Sequence, residues 1–280
     1  MEQKIPKIIH YCWFGGNPLP ELTLKCIDSW KKYCPDYEII EWNEKNFDIN
    51  CSAYAKEAYE AKKWAFVSDY CRFHVLNELG GIYLDTDVEL LRPIDDLLGC
   101  SFVGFEGKKS VASGLIRGVA PNDTVCKRML DSYNNDSFLL EDGSLNIKTV
   151  CDRETEIFQE YGLKLDGSLQ DVIDTRVFPS EYFCPLDNVT WELNITENTY
   201  SIHHYDSSWV SEEKKYAKEF RKKHKHIPRF MALHISGFVA AWKFRGFGAA
   251  IKEVTVYFKD RKKQKKRDKE LKKSKGDCTK

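Results

Sequence analysis

Between Lys7 and Leu84 short strand-like runs alternate with helical ones, and turn signals separate them. Lys7-Ile-Ile-His-Tyr-Cys-Trp-Phe14 is rich in β-formers and stops at Gly15-Gly16-Asn17-Pro18, the pattern of a buried strand that opens into a loop. A helix is predicted over about 20–32, a strand over Glu38 to Trp42, and a second helix over about 51–62. From Trp64 to Leu79 the residues Phe66, Val67, Tyr70, Phe73, Leu76 and Leu79 recur in steps of three and four, which predicts a helix packed on a core. Gly80-Gly81 ends it, and Ile82-Tyr83-Leu84 reads as a short strand. Alternation of this kind builds an α/β domain around a sheet, and such sheets receive ligands beyond the carboxyl ends of their strands.

A chain of 280 residues, 42% hydrophobic and 13% aromatic, is long enough for one sizeable core with extensions. Its zero formal net charge hides a division: residues 211–280 hold 23 Lys+Arg and 8 Asp+Glu, leaving 20 and 35 for residues 1–210. An acidic body suits the holding of a divalent cation, and a basic C-terminal quarter suits phosphate-bearing partners such as lipid headgroups or nucleic acid. Nucleic acid is set aside, because no recognised motif for it is present and aromatics are few among the lysines after Lys259. The ten cysteines are scattered with no CxxC pair, which argues against zinc or a disulfide framework. No signal-like apolar stretch opens the chain, so the expected location is a reducing cytoplasm.

Ile235 to Phe258 is apolar but interrupted by Lys243, Arg245, Lys252 and Glu253, and Lys259 to Lys275 then holds eleven Lys+Arg against three acids. Such a segment fails as a membrane span and suits a peripheral position on an anionic leaflet. The expected organisation is a catalytic domain over 1–210, a helical, partly amphipathic extension over 211–258, and a basic, disordered tail over 259–280.

Asp85-Thr86-Asp87 follows the short strand directly. Two aspartates at this spacing can hold Mg²⁺ or Mn²⁺ through hard oxygens and leave positions for diphosphate oxygens and water. The spacing alone is a weak signal, and its place at a strand end gives it meaning. On the preceding helix Asp69 and Arg72 are three apart and share one face. Residues 100–190 mix weak strand and helix signals around Gly104 to Gly118 and resist ordering, with Val177 to Pro185 standing out as a compact aromatic, proline-bounded element. Thr199 to Trp209 reads as a strand running into a loop that carries His203, His204, Ser207, Ser208 and Trp209.

Four of these motifs in order, Ile5-Pro-Lys-Ile-Ile-His-Tyr-Cys-Trp-Phe-Gly-Gly16, Ala65-Phe-Val-Ser-Asp-Tyr-Cys-Arg72, Leu79-Gly-Gly-Ile-Tyr-Leu-Asp-Thr-Asp87 and His203-His-Tyr-Asp-Ser-Ser-Trp209, resemble the sugar-binding Asp-x-Asp glycosyltransferases of family 32. That group includes bacterial capsule and exopolysaccharide enzymes and fungal mannosyltransferases, and its catalytic domain is similar to that of the clostridial glucosylating toxins. The resemblance implies a GT-A type nucleotide-sugar-binding fold, with a central mostly parallel sheet flanked by helices and a helical C-terminal extension. It implies a retaining, Mn²⁺- or Mg²⁺-assisted transfer of a hexose from a UDP-sugar to a saccharide or lipid-linked saccharide acceptor.

Carried onto this chain, the resemblance has Trp13 stack on uracil, while Asp69 and Arg72, with Tyr83, hold ribose and sugar hydroxyls. Asp87 binds the metal directly, Asp85 holds the donor and reaches the metal through water, and His204 is the third metal ligand. Ser208 and Trp209 close on the β-phosphate; Asp85, Asp87 and Trp209 form the catalytic set. His203 is expected to pack or orient. Ser207 stands where related loops have glycine. A metal-dependent nucleotide-sugar or phosphoester hydrolase is the competing reading, but such sites gather more carboxylate and histidine ligands around two metals.

Overall fold

A computed structural model describes residues 4–206, 210–252 and 255. The chain forms two compact units, Met1–Leu186 with Leu193–Trp209, and Asp187–Glu192 with Val210–Lys280.

The first unit runs β1 (Ile8–Cys12), α1 (Glu21–Tyr33), β2 (Glu38–Trp42), α2 (Ala53–Glu60), α3 (Trp64–Leu79), β3 (Gly81–Tyr83), β4 (Val88–Leu90), β5 (Ser101–Glu106), β6 (Ser110–Val111), β7 (Arg117–Val119), α4 (Thr124–Asn134), α5 (Val150–Glu160), β8 (Gln170–Val172), β9 (Thr175–Phe178), α6 (Ser180–Phe183) and β10 (Ser201–His203). The main sheet has the order β2-β1-β3-β7-β5-β9-β8, with β6 on β5. Strands β2, β1, β3, β5 and β9 run one way and β7 and β8 the other. This is the mostly parallel sheet with flanking helices that the resemblance implied. β4 and β10 stand apart as an antiparallel ribbon.

Side chains alternate across the sheet and fill two cores. On one face Tyr83, Val103 and Val119 join residues of α2, α3, α4 and α5. On the other Ile9, Tyr11, Ile82 and Phe102 meet α1, β4 and α6. The parallel register sets Ile9 beside Ile82 and His10 beside Tyr83, so the loops that leave β1 and β3 emerge side by side at one end of the sheet. Gly81 makes this approach possible: its φ is +97°, and a Cβ there would lie 2.8 Å from the Ile8 carbonyl oxygen.

His10 is enclosed between these strands. The Trp42 Nε1–H donates to its Nδ1 at 3.0 Å, and its own Nε2 donates to the Gly80 carbonyl at 2.8 Å, so both ring nitrogens are satisfied in the neutral form. Burial pushes its pKa down from 6.5 to about 4. The folded protein therefore binds fewer protons here than the unfolded chain, and the contribution is complete above pH 6.5 and lost as pH falls toward about 4, a change on the order of 3 kcal/mol. Melting temperatures of His10→Gln and the parent chain, followed over that window, should diverge, with the flatter slope in the variant. Parallel slopes would assign the acid sensitivity to other groups.

The second unit contains α7 (Glu212–Lys223) and α8 (Arg229–Arg245), packed on each other. Ser211 Oγ caps α7, with Glu212 and Glu213 in its first turn and Arg221, Lys222 and Lys223 in its last, the charge order that suits the helix dipole. Residues 187–192 join this unit, and Lys218 and Lys222 lie 5.3 and 4.6 Å from the Trp191 ring centre. Among the described residues no helix is long and apolar enough to cross a membrane. The expected disordered tail over 259–280 lies outside the described residues.

Candidate active site

Asp85 leaves the carboxyl end of β3 and is held by two different elements. Its backbone N–H donates to the Gly114 carbonyl at 2.9 Å, and its Oδ1 accepts from Arg72 of α3 at 2.8 Å. The same guanidinium lies 3.4 Å from Asp69 Oδ1 and donates at 3.0 Å to Ser113 Oγ. Tyr83 forms its floor, with the Arg72 carbon 4.3 Å from the ring centre, a desolvated cation–π contact. Gly114 is required here, because a Cβ would fall 2.1 Å from Asp85 Oδ2. Burial pushes the Asp69 carboxyl up to about 7 against the pull of Arg72.

Asp87 is set by the ribbon. The register pairs His203 of β10 with Val88 of β4, which brings His203 Nε2 to 3.2 Å from Asp87 Oδ1. Beyond β10 the backbone turns back on the same residue: the His204 N–H donates to the Asp87 carbonyl at 2.9 Å and the Asp206 N–H to Asp87 Oδ2 at 2.7 Å. Burial alone would raise the Asp87 pKa, but His203 and the Asp206 N–H outweigh it and bring it down to about 2. For His203 the balance runs the other way: burial disfavours its charged form, and the Asp87 carboxylate raises its pKa well above 6.5.

The structure thus gathers Asp85, Asp87 and His203, each offering one ligand atom, with those atoms within 4.8 Å of one another. Two carboxylates and an imidazole, all partly accessible, fit a divalent cation. His204, expected in this group, is turned away: its Nε2 meets Glu89 Oε2 at 2.8 Å, and Lys25 of α1 holds the same oxygen at 2.8 Å. The reason is strand geometry, since consecutive residues at the end of β10 point to opposite sides. Tyr83, expected among the donor-binding residues, is only 1% exposed and lies against the Arg72 guanidinium. Trp13 follows β1, partly buried, with its Nε1–H donating to the Asn17 carbonyl at 2.6 Å. Ser207, Ser208 and Trp209 lie outside the described residues, and with them the expected contacts to the β-phosphate.

Residues 20–102, which include Asp69, Arg72, Asp85 and Asp87, match the family described as "Glycosyltransferase sugar-binding region containing DXD motif". This segment carries that family's sequence pattern. Its similarity to individual proteins is more distant. It is 26% identical over 178 residues to Subversion of eukaryotic traffic protein A of Legionella pneumophila, covering 54% of this chain and 25% of that protein. It is 32% identical over 102 residues to Inositol phosphoceramide mannosyltransferase 3 of Schizosaccharomyces pombe, covering 34% and 27%. The chain thus spans about a quarter of the length of each of these two relatives. Among solved structures, "PaToxG Glycosyltransferase" superposes with a TM-score of 0.43 at 19% identity, covering 56% of this chain and 70% of that one.

Sequence reasoning missed three residues of this site. Ser113 and Gly114 sit in the loop between β6 and β7, and Glu154 of α5 accepts the Ser113 N–H at 2.9 Å. Glu154 is fully buried, as is its neighbour Arg117, whose NH1 lies 3.9 Å from Glu154 Oε1 and whose NH2 lies 3.0 Å from Asp123 Oδ1. A chain of buried polar contacts therefore runs from Asp123 through Arg117, Glu154, Ser113 and Arg72 to Asp85. The glycines between Gly104 and Gly118 were the one available signal.

Proposed function

We propose that this chain transfers a hexose from a UDP-sugar to a saccharide acceptor with retention of anomeric configuration, assisted by Mn²⁺ or Mg²⁺. The observation that carries the reading is the convergence of Asp85, Asp87 and His203 at the carboxyl end of β3, inside the matched family region for both aspartates. Asp87, Asp85 and His203 would hold the cation. When bound it supplies positive charge beside the departing diphosphate.

The chain's own residues do the remaining work. Arg72 fixes the direction of the Asp85 carboxylate and is itself fixed by Ser113 and Tyr83. Asp69, with its raised pKa, offers a carboxyl that can donate or accept toward sugar hydroxyls near neutral pH. Trp13, beside the β3 loop at the end of β1, supplies an aromatic face for uracil, a contact worth roughly 1–3 kcal/mol. Ser208 and Trp209 complete the reading as the residues that meet the β-phosphate. The acceptor is a saccharide or lipid-linked saccharide, in capsule, exopolysaccharide or related glycan assembly; a relative named for mannosyl transfer to inositol phosphoceramide supports a lipid-linked acceptor. Inside a cell, the active enzyme works in the cytoplasm.

Calorimetry with UDP tests the site. Binding in the presence of Mn²⁺ should weaken at least about tenfold on chelation, and His203→Gln should lose most of this metal dependence while His204→Gln keeps it. Equal UDP affinity with and without the cation would overturn the metal-assisted reading. Product analysis then separates transfer from hydrolysis, since a hydrolase yields free sugar at the same rate with or without an acceptor saccharide.

A further inference from the structure

Helix α8 is built inside out for a helix in water. The residues it buries are small, Ala232, Ser236, Ala240 and Ala241, the first three spaced four apart, and Ser236 marks the side that faces α7 because its Oγ accepts from Arg221 NH1 at 3.0 Å. Four of its large apolar residues form a separate stripe, Met231, Ile235, Phe238 and Trp242, at steps of four, three and four, while the exposed Leu233 and Phe244 lie off it. The stripe continues past Gly246 into the helical residues that follow. Phe247 sits with its ring centre 6.3 Å from Phe238 and 5.5 Å from Trp242, and Ile251 lies one turn further on. Met231, Trp242, Phe247 and Ile251 are 41–55% exposed. Left in water, such a stripe forgoes the burial that normally stabilises an amphipathic helix.

We infer that this stripe lies in the interfacial layer of an anionic lipid leaflet. Charge complementarity selects that occupant. Residues 211–280 carry 23 Lys+Arg against 8 Asp+Glu, so two copies meeting through this region would bring like charges together, whereas acidic headgroups would be attracted. Lys243 and Arg245 flank Trp242, and both stay near the helix surface: Lys243 Nζ lies 3.8 Å from the Tyr216 ring centre and Arg245 Nε donates to Glu213 at 2.9 Å. The sequence then supplies eleven Lys+Arg against three acids between Lys259 and Lys275. An apolar stripe too short to span, joined to a polybasic segment, has the two signals that stable peripheral attachment needs. The inference is independent of the proposed donor chemistry.

Co-sedimentation of the full chain with vesicles of phosphatidylcholine containing phosphatidylglycerol tests it. The chain should pellet at low salt and pellet less with pure phosphatidylcholine or at high salt. The double variant Trp242→Ser/Phe247→Ser changes only exposed side chains, and with helicity retained by circular dichroism it should bind the anionic vesicles at least about tenfold more weakly. UDP binding by the same variant should be unchanged, which separates this result from the fate of the proposed activity. The inference is overturned if the full chain does not pellet, or if the double variant binds as tightly as the parent, which would leave the basic segment as the sole attachment. It is also overturned if the parent is a dimer in solution that the double variant dissolves.

Discussion

Asp87→Asn is expected to lower sugar transfer, or hydrolysis of the UDP-sugar donor, by at least about a hundredfold while the chain stays folded. The amide has nearly the volume of the carboxylate and still accepts the Asp206 N–H, so the ribbon of β4 and β10 keeps its backbone ties. What disappears is the negative charge. Asp87 is held ionised, with its pKa drawn down to about 2, and His203 at 3.2 Å loses the counter-charge that raises its own pKa. Turnover under saturating Mn²⁺, compared with circular dichroism of the same preparation, decides the matter. Near-normal turnover by a folded Asp87→Asn protein would remove Asp87 from the metal site.

The largest effect on stability is expected away from the Asp85–Asp87 cluster, at Arg117. Its guanidinium is completely buried and serves two carboxylates, Asp123 at 3.0 Å and Glu154 at 3.9 Å. Arg117→Met fills much of the same volume but strands both acids in a low-dielectric interior, a loss of about 3–5 kcal/mol, or a fall in melting temperature on the order of 10 °C. Adding Glu154→Gln should recover part of the loss, because one of the two orphaned charges is then gone. Urea denaturation of the single and double variants measures both quantities. A single variant with the parent's midpoint would mean that these buried contacts contribute no net stability, and the support they give Ser113 and Arg72 would need another source.

The first half of the sheet was legible because its signals are strong and local. Strand β2 occupies Glu38–Trp42 and α3 occupies Trp64–Leu79, the bounds that turn residues and three-to-four periodicity indicate. The far half is made of strands such as β6 and β7, two and three residues long, too short for any period to register. Ser113 and Gly114 lie between those two strands, so their approach to Asp85 could not be read from the chain. Which of His203 and His204 faces Asp87 was hidden for a different reason. Adjacent residues of a strand face opposite ways, and only the pairing of His203 with Val88 says which faces the aspartates. The burial of Tyr83 follows from the same alternation, since its side of β3 is the one covered by α3.

That alternation also bears on how the end of β10 behaves. Neighbouring residues are tied to two different places: His203 and Asp206 to Asp87, and His204 to Glu89, which Lys25 anchors to α1. The backbone ties of His204 and Asp206 to Asp87 share one short path, so a backbone movement that carries this segment away from Asp87 breaks both. Partial loosening gains little, because each remaining tie restrains the torsions needed to break the others. Departure of this segment from Asp87 is therefore expected to be cooperative, with the amides of His204 and Asp206 coming free together.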